Sequence, residues 1–444
     1  MYTNYSINFR RSQLYGCQQV LISPDGELKG ILEYVCEEAR KLSDCGIYYA
    51  RQIFFKTGKI LSKFDLINEL TRNKHYQALY SQVAQQALLN VAESFKSFKG
   101  LVREARKGNV SQRPKLPNYR KSGLILISYP KQAIKLKDGM LRFPLGQLVK
   151  AWFKIDSFFL PMPTNLKFSD IKEVRILPRN MCFYAEFVYE QPDVTIELNK
   201  SNVLGIDHGV NNWLTCVSNV GTSFIVDGLH LKSMNQWYNK QVSKLKEGKP
   251  QGFWSEQLAL ITEKRNRQMR DAVNKAARIV INHCIQNNIG TIVFGWNKDQ
   301  KQNANMGAKQ NQKFVQIPTG RLKDRITQLC EQYGIQFVET EESYTSKASF
   351  LDNDVLPTFG EKPEGWQASG KRIVRGLYKS AQGFLVNADA QGAANIIRKV
   401  AAKLGLVLSR VSRVLLNAPV RIRLWHAASK RPLQSSGSNE SQRL

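Results

Sequence analysis

SNVLGIDHGVNNWLTCVSN, residues Ser201–Asn219, reads as an apolar strand, a tight turn and a second apolar strand. Its one carboxylate, Asp207, ends the first strand between Gly205 and Gly209. An acid at that point either caps a turn or forms one leg of a metal site. In the second case, further carboxylates must arrive from far along the chain. Working outward, VLGIDHG, WLTCVSN and TSFIVDG give three strands with short turns between them. Two helices follow, separated by EGKPQG, the second running from about Trp254 to Asn287. Then come the strand GTIVFG, a polar loop, the helix TGRLKDRITQLCEQYG, the strand IQFVETEE, an irregular insert and the helix ADAQGAANIIRKVAAKLG. A strand meander followed by helix–strand–helix–strand–helix is an α/β layout.

That order is the RNase H-like one. Around it stands a chain of 444 residues, long enough for two or three cored domains, with a formal net charge of +29. Self-repulsion of that size stabilises nothing, so a polyanionic partner explains it, nucleic acid first and an anionic membrane surface second. The N-terminus has no apolar signal core, and no window is long enough to span a bilayer. The expectation is therefore a cytoplasmic protein without a membrane partner. The seven cysteines form no CxxC pair, and a disulfide framework is not expected in a reducing compartment. His283-Cys284 lies in an apolar helix and reads as core.

Upstream, residues 1–15 alternate as a strand, and about 26 to 107 are helical. Leu79, Val83, Ala87, Leu88, Val91, Phe95 and Phe98 recur at i, i+3, i+4 spacing. Lys96, Lys99, Arg103, Arg106 and Lys107 crowd the end of that helix. They are either a solvated face or a grip on a duplex backbone. The loop after it places Arg113, Lys115, Arg120 and Lys121 around Tyr119. Basic residues interleaved with an aromatic suit phosphate contact and base stacking. Residues 124–197 alternate as an antiparallel sheet or barrel, with turns expected at Asp138-Gly139 and Arg179-Asn180. The segment after Gly405 ends in a polar stretch and reads as a partly disordered tail.

Phosphodiester hydrolysis needs an activated water and neutralised phosphate charge. Two Mg2+ ions roughly 3.5–4 Å apart, held by carboxylates, supply both. Asp207 fits the first ligand. Asp389, in NADAQGAANI, sits at or just before a helix start, where Asp is also a favoured N-cap.

Seven stretches, in order, carry a resemblance: GIYYARQIFFKTGK, SQVAQQALLNVAESFKSF, KLPNYRK, GIDHGVNNWLT, KRNRQMRDAVNKAARIV, ESYTSKASF and NADAQGAANII. From about Cys45 to Lys399 the chain resembles the TnpB (OrfB) family of transposon-encoded nucleases, relatives of type V CRISPR effectors. The resemblance implies an RNA-guided, Mg2+-dependent DNA endonuclease with a split RuvC site. It implies a guide RNA from the transposon end and a double-stranded DNA target with a short adjacent motif. The expected fold class is multidomain α+β. Residues 1–25 and 109–200 would form an antiparallel β-barrel wedge domain, with a helical recognition lobe inserted at 26–108. Residues 201–344 and 385–404 would form the RNase H-like (RuvC) α/β nuclease domain, 345–384 a nucleic-acid-binding insert and 405–444 a basic, partly disordered tail. Asp207 and Asp389 match the first and third RuvC acids, and Asn395 the family's Asn. Nucleic-acid contacts are expected from Tyr49 and Arg51, from Lys96 and Lys99 of the helix, from Arg113, Lys115, Tyr119, Arg120 and Lys121 of the loop, from Tyr344, Ser346 and Lys347 in the YTSK segment, and from Lys371, Arg372, Arg375 and Lys379.

Three departures matter. Gly295 stands where typical members carry the second acid, and Gln391-Gly392 replaces an Asn-Ala pair. The insert has no cysteine, so no zinc knuckle is expected; Phe350, Leu351, Leu356, Trp366 and Tyr378 must hold it, with Asp352 and Asp354 as turn residues. For the missing acid, the next strand ends in Glu339, Glu341 and Glu342. Alternation lets only one of the last pair face the site. Glu342 is favoured, with Glu341 as the alternative. His208 should point to the opposite face from Asp207. Two rivals remain: a guided DNA-binding protein that has lost cleavage, repressor-like, and an RNase H-like transposase that needs no RNA.

Overall fold

The computed structural model describes residues 14–191, 194, 196–297 and 317–425. The expected strand at residues 1–15 falls almost wholly outside them. Contacts divide the chain into two compact units: residues up to 193 with 252–263, and 194–251 with those from 264 on.

The first unit begins with strand β1 (Tyr15–Ile22) and helices α1 (Gly26–Thr57), α2 (Lys63–Leu70), α3 (Lys74–Ala78) and α4 (Ser81–Arg106). Asp25 starts α1 by accepting from Leu28 N at 2.8 Å, and Gly58 ends it in the left-handed region at φ 69°. Strands β2 (Ile127–Pro130), β3 (Lys135–Lys137) and β4 (Met140–Pro144), helix α5 (Gln147–Phe153), and strands β5 (Ser157–Pro161), β6 (Ile171–Arg179) and β7 (Cys182–Glu190) follow. They form a four-stranded sheet, β1-β7-β6-β2, and a three-stranded sheet, β3-β4-β5. Among the described residues neither sheet closes, so the expected barrel is corrected to open sheets. The physical reason is the helices. Leu32, Val35, Leu42, Val83 and Leu88 share one core with Ile127, Val174, Phe183 and Phe187, so helices cover the apolar face that a barrel would turn inward. The β3–β4 turn is Asp138-Gly139, with φ 49° and 74°. The β6–β7 turn falls one residue later than expected, at Asn180-Met181 (φ 47° and 60°), because Arg179 pairs with Cys182 and encloses those two residues.

The second unit holds strands β8 (Val203–His208), β9 (Asn212–Ser218) and β10 (Ser223–Asp227), helix α6 (Leu229–Lys246), helix α7 (Glu256–Gln286) from residue 264 on, strand β11 (Thr291–Gly295), helix α8 (Thr319–Tyr333), and strands β12 (Gln336–Thr340), β13 (Lys371–Val374), β14 (Leu377–Lys379) and β15 (Leu385–Asn387). Helices α9 (Ala388–Leu404) and α10 (Arg413–Asn417) and strand β16 (Val420–Ile422) complete it. The main sheet runs β12-β11-β8-β9-β10-β16. Strands β8, β9 and β10 form an antiparallel meander, β11 and β12 join β8 in parallel, and β16 lies parallel to β10. Part of the segment read as a tail is thus a sheet strand.

The two-residue period of the strands sorts the faces. Leu204, Ile206, Ile292 and Phe294 pack with Ala276, Val280 and Cys284 of α7 and Ile326 of α8. Val203 and Val293 pack on the other side with Ile396, Ile397 and Val400 of α9. Residues 203, 205 and 207 therefore share the α9 face, and 291, 293 and 295 join them. A Cβ on Gly205 would lie 2.4 Å from Ile397 Cγ1 and 2.6 Å from Ala393 O, so this glycine lets the first turns of α9 lie against β8. Among the described residues no helix is long and apolar enough to cross a membrane.

Candidate active site

Asp207 ends β8 on the α9 face. A Cβ on Gly392 would sit 2.8 Å from Asp207 Oδ2. The Asp207 carboxyl is held well above the usual range, first by burial and then by the charges of Glu342 and Asp389. Asp207, Glu342 and Asp389 are thus electrostatic neighbours despite lying in separate parts of the chain. Glu342 reaches the place that Gly295 leaves open, its Oε2 3.2 Å from where a Cβ on Gly295 would be. Glu341 turns elsewhere: it pairs with Lys399 of α9 and accepts from Ser343 N at 2.8 Å. Glu339 pairs with Lys323 of α8, on the opposite face.

Asp389 is not the helix cap. Asn387 caps α9, accepting from Asp389 N and Ala390 N at 3.0 Å each. Asp389 lies in the first turn, where the helix dipole favours an anion. Its Oδ1 accepts from Arg372 Nη2 at 2.9 Å and its Oδ2 from Asn212 Nδ2 at 2.7 Å. Asn297 grips Glu342 twice: its Oδ1 accepts from Glu342 N at 3.2 Å, and its Nδ2 donates to Glu342 Oε1 at 3.3 Å. Asn395 is buried and donates to Thr345 O and Ala348 O, both at 2.8 Å, so it fixes the segment after Glu342 and not the acids. His208 lies on the α7 face, stacked with Phe294 at 5.9 Å, yet at the strand end its Nε2 comes 3.9 Å from Glu342 Oε2.

Among the described residues no three His, Cys, Asp or Glu side chains draw together closely enough to hold a metal ion as they stand. Arg372 and Asn212 take the oxygens of Asp389 instead. The donor set is nonetheless of the kind hard cations prefer: carboxylate oxygens without sulfur. A cation would also relieve the crowding of negative charge that raises Asp207.

The insert keeps itself together through Asp352 and Asp354, which do more than turn the chain. Asp352 Oδ2 accepts from Ser349 Oγ at 2.5 Å, Ser369 Oγ at 3.2 Å and Ala381 N at 2.7 Å. Asp354 Oδ2 accepts from Ser349 N and Ser369 N. Phe350 and Tyr378 are buried, and Trp366 Nε1 donates to Val355 O at 3.0 Å. Tyr344 has a φ of 64° and meets Trp366 edge-on at 5.4 Å. Ser346, Lys347, Lys371, Arg375 and Lys379 are exposed. Because β15 runs into α9, the β13–β14–β15 sheet brings Arg372 to Asp389.

The other candidates lie in the first unit. A cleft of about 960 Å³ is lined by Arg51, Phe54, Phe98, Arg106, Arg113 and Lys115, among others. Arg51 lies 5.5 Å from the Tyr119 ring and donates to Pro117 O at 2.8 Å. Lys96, Lys99, Tyr119, Arg120 and Lys121 are exposed. Desolvation first, and then the neighbouring Glu69, raise the pKa of Tyr49. The sequence reading missed Asn212 and Asn297. Asn212 lies inside the opening stretch and Asn297 two residues past Gly295, but an asparagine there carries no signal without its partner.

Residues 186–301 match the family described as OrfB_IS605, probable transposase. Over that stretch the chain is similar to that family. A solved Cas12f1–sgRNA–target DNA complex is similar at 14% identity over 84% of this chain and 83% of that one, with a TM-score of 0.52, which shows a shared fold. The mini-RNA-guided endonuclease CRISPR-Cas_phi3 is also similar, at 10% identity over 89% of this chain and 93% of that one, with a TM-score of 0.42. No curated protein matches this chain.

Proposed function

We propose that the chain is a transposon-encoded, RNA-guided DNA endonuclease that hydrolyses phosphodiester bonds with Mg2+ at a RuvC-like site. In this reading the second unit is the RNase H-like nuclease domain with its insert, and the first unit combines the wedge and recognition regions. The observation that carries the reading is the neighbourhood of Asp207, Glu342 and Asp389, with the Glu342 carboxylate beside the position left vacant at Gly295. Asp207, Glu342 and Asp389 would hold Mg2+. When bound, the ion supplies water activation and neutralises charge on the scissile phosphate. Asn297 and Asn212 orient Glu342 and Asp389. Arg372, released from Asp389, is long enough to contact a strand phosphate. The basic cleft of the first unit suits an RNA or DNA backbone, and the charge of +29 supports a polyanionic partner. The solved relative named above is itself a complex with sgRNA and target DNA.

One observation favours a second reading, guided binding without cleavage. Asp389 is already satisfied by Arg372 and Asn212. The test is to sequence the RNA that co-purifies with the protein. The complex is then incubated with matching DNA, with Mg2+ or with EDTA. Mg2+-dependent cutting supports the nuclease. RNA-directed binding without cutting supports the second reading. DNA binding with no bound RNA supports a transposase and overturns both.

A further inference from the structure

Strand β16, at the edge of the sheet, carries Arg421 opposite Ile225 of β10. The guanidinium makes two contacts. Its Nη1 donates to Asp227 Oδ2 at 2.7 Å, and its Nη2 donates to Asn212 Oδ1 at 2.8 Å. Asp227 is fixed in turn, because its Oδ1 accepts from Leu229 N at 2.7 Å at the start of α6. The ladder between β9 and β10 shifts register at Asp227, which sets Asp227 opposite Asn212. Gly228 closes the turn from the other side: a Cβ there would lie 2.5 Å from Val210 O.

An asparagine amide has one donor end and one acceptor end. Arg421 can only donate, so it claims Oδ1 of Asn212 and turns Nδ2 toward Asp389. With Arg421 gone, the Asp389 carboxylate alone selects that orientation and the amide loses its second anchor. A flipped amide would set its oxygen against the Asp389 carboxylate. We propose that Arg421 is a positioning residue for the active site, acting on Asp389 through Asn212, and that the short C-terminal strand is thereby a working part of the nuclease centre. The proposal rests on the nuclease reading and adds a residue to it.

The experiment compares full-length wild type, Arg421→Ala, Asn212→Leu and the double variant, each with its guide RNA. Mg2+ is titrated in two assays: cleavage of matching DNA, and the rise in melting temperature of the RNA complex without DNA. Groups that orient a metal ligand typically change metal affinity about 10–100-fold. Asn212→Leu is expected in that range and Arg421→Ala at about three- to tenfold, both as a higher half-saturating Mg2+ concentration. The double variant should be no worse than Asn212→Leu, because both act along one path. Melting without Mg2+ gives the purely structural cost of each change. An unchanged Mg2+ midpoint in Arg421→Ala overturns the proposal. So do losses that multiply in the double variant, since these mean independent effects. A wild type that neither cuts nor responds to Mg2+ overturns the nuclease reading and this inference with it. A wild type that responds, beside an indifferent Arg421→Ala, overturns the inference alone.

Discussion

The two faces of the six-stranded sheet use the same strands for different ends. On the α7 face, β8 offers Leu204 and Ile206, which are fully buried in an apolar core. On the α9 face the same strand offers Gly205 and Asp207, and β11 adds Gly295. Val203 and Val293 pack on α9 at one end of that face, but beyond them the side chains are small or charged, and space is the scarce quantity. The first face is built by filling volume and the second by leaving it open. One residue of register separates them.

The contrast breaks most sharply at the carboxylates. Asp207→Ala is expected to lower cleavage roughly a thousandfold or more, since a bound metal contributes several kcal/mol to the transition state. RNA and DNA binding, measured by filter retention, should stay unchanged. Asp389→Asn should fall in the same range, because Asn387 already caps α9 and only the charge is removed. An Asp389→Asn variant that cuts at the wild-type rate would leave Asp389 a merely structural residue.

The next test sets two neighbours against each other. Leu204→Ala should cost about 2–5 kcal/mol of stability by denaturant unfolding, leaving cleavage per folded molecule intact. Gly205→Ala adds a methyl where Ala393 O stands at 2.6 Å. It should cost less, about 1–3 kcal/mol, yet lower cleavage, because α9 must move away from β8. Equal cleavage in both variants would erase the distinction between the faces.

The smallest effect is electrostatic. Burial first, and then Glu342 and Asp389, hold the Asp207 carboxyl above the usual range. As pH rises, the unfolded chain releases that proton before the folded one does. Asp207 therefore subtracts from stability between the ordinary carboxylate range and its raised value. Without divalent ions, wild type should lose up to about 1.4 kcal/mol per pH unit across that window relative to Asp207→Asn. Parallel pH profiles for the two proteins would mean that Asp207 is not buried among acids.

Much of the second face was legible. Asp207 closing an apolar strand, Asp389 opening a helix and Glu342 just past a neighbouring strand all follow from local pattern and strand order. The partnerships were not. Asn212, Asn297 and Arg421 matter through atoms contributed by residues dozens or hundreds of positions away, and local periodicity carries no trace of that. Strand β16 is three residues in a basic stretch, too short to register as alternation. The barrel failed for a related reason: alternation tells which residues of β6 and β7 turn inward, but not that α1 and α4 wait there. The expected alternation does not sort Glu341 from Glu342, because both lie past the end of β12 at Thr340; Lys399 of α9 as the partner of Glu341 was visible only in three dimensions.

The vacancy at Gly295 has a historical consequence. A side chain there would press on Ile396, with its Cβ 2.5 Å from Cδ1, and would enter the space that the Glu342 carboxylate uses. An acid at position 295 and an acid at position 342 are thus competing tenants of one spot. A lineage moving between the two arrangements cannot hold both acids in place at full strength while it changes. A chain carrying both would need the end methyl of Ile396 and the Glu342 carboxylate to shift aside. The two forms of the site should therefore be found as separate populations, with few chains between them.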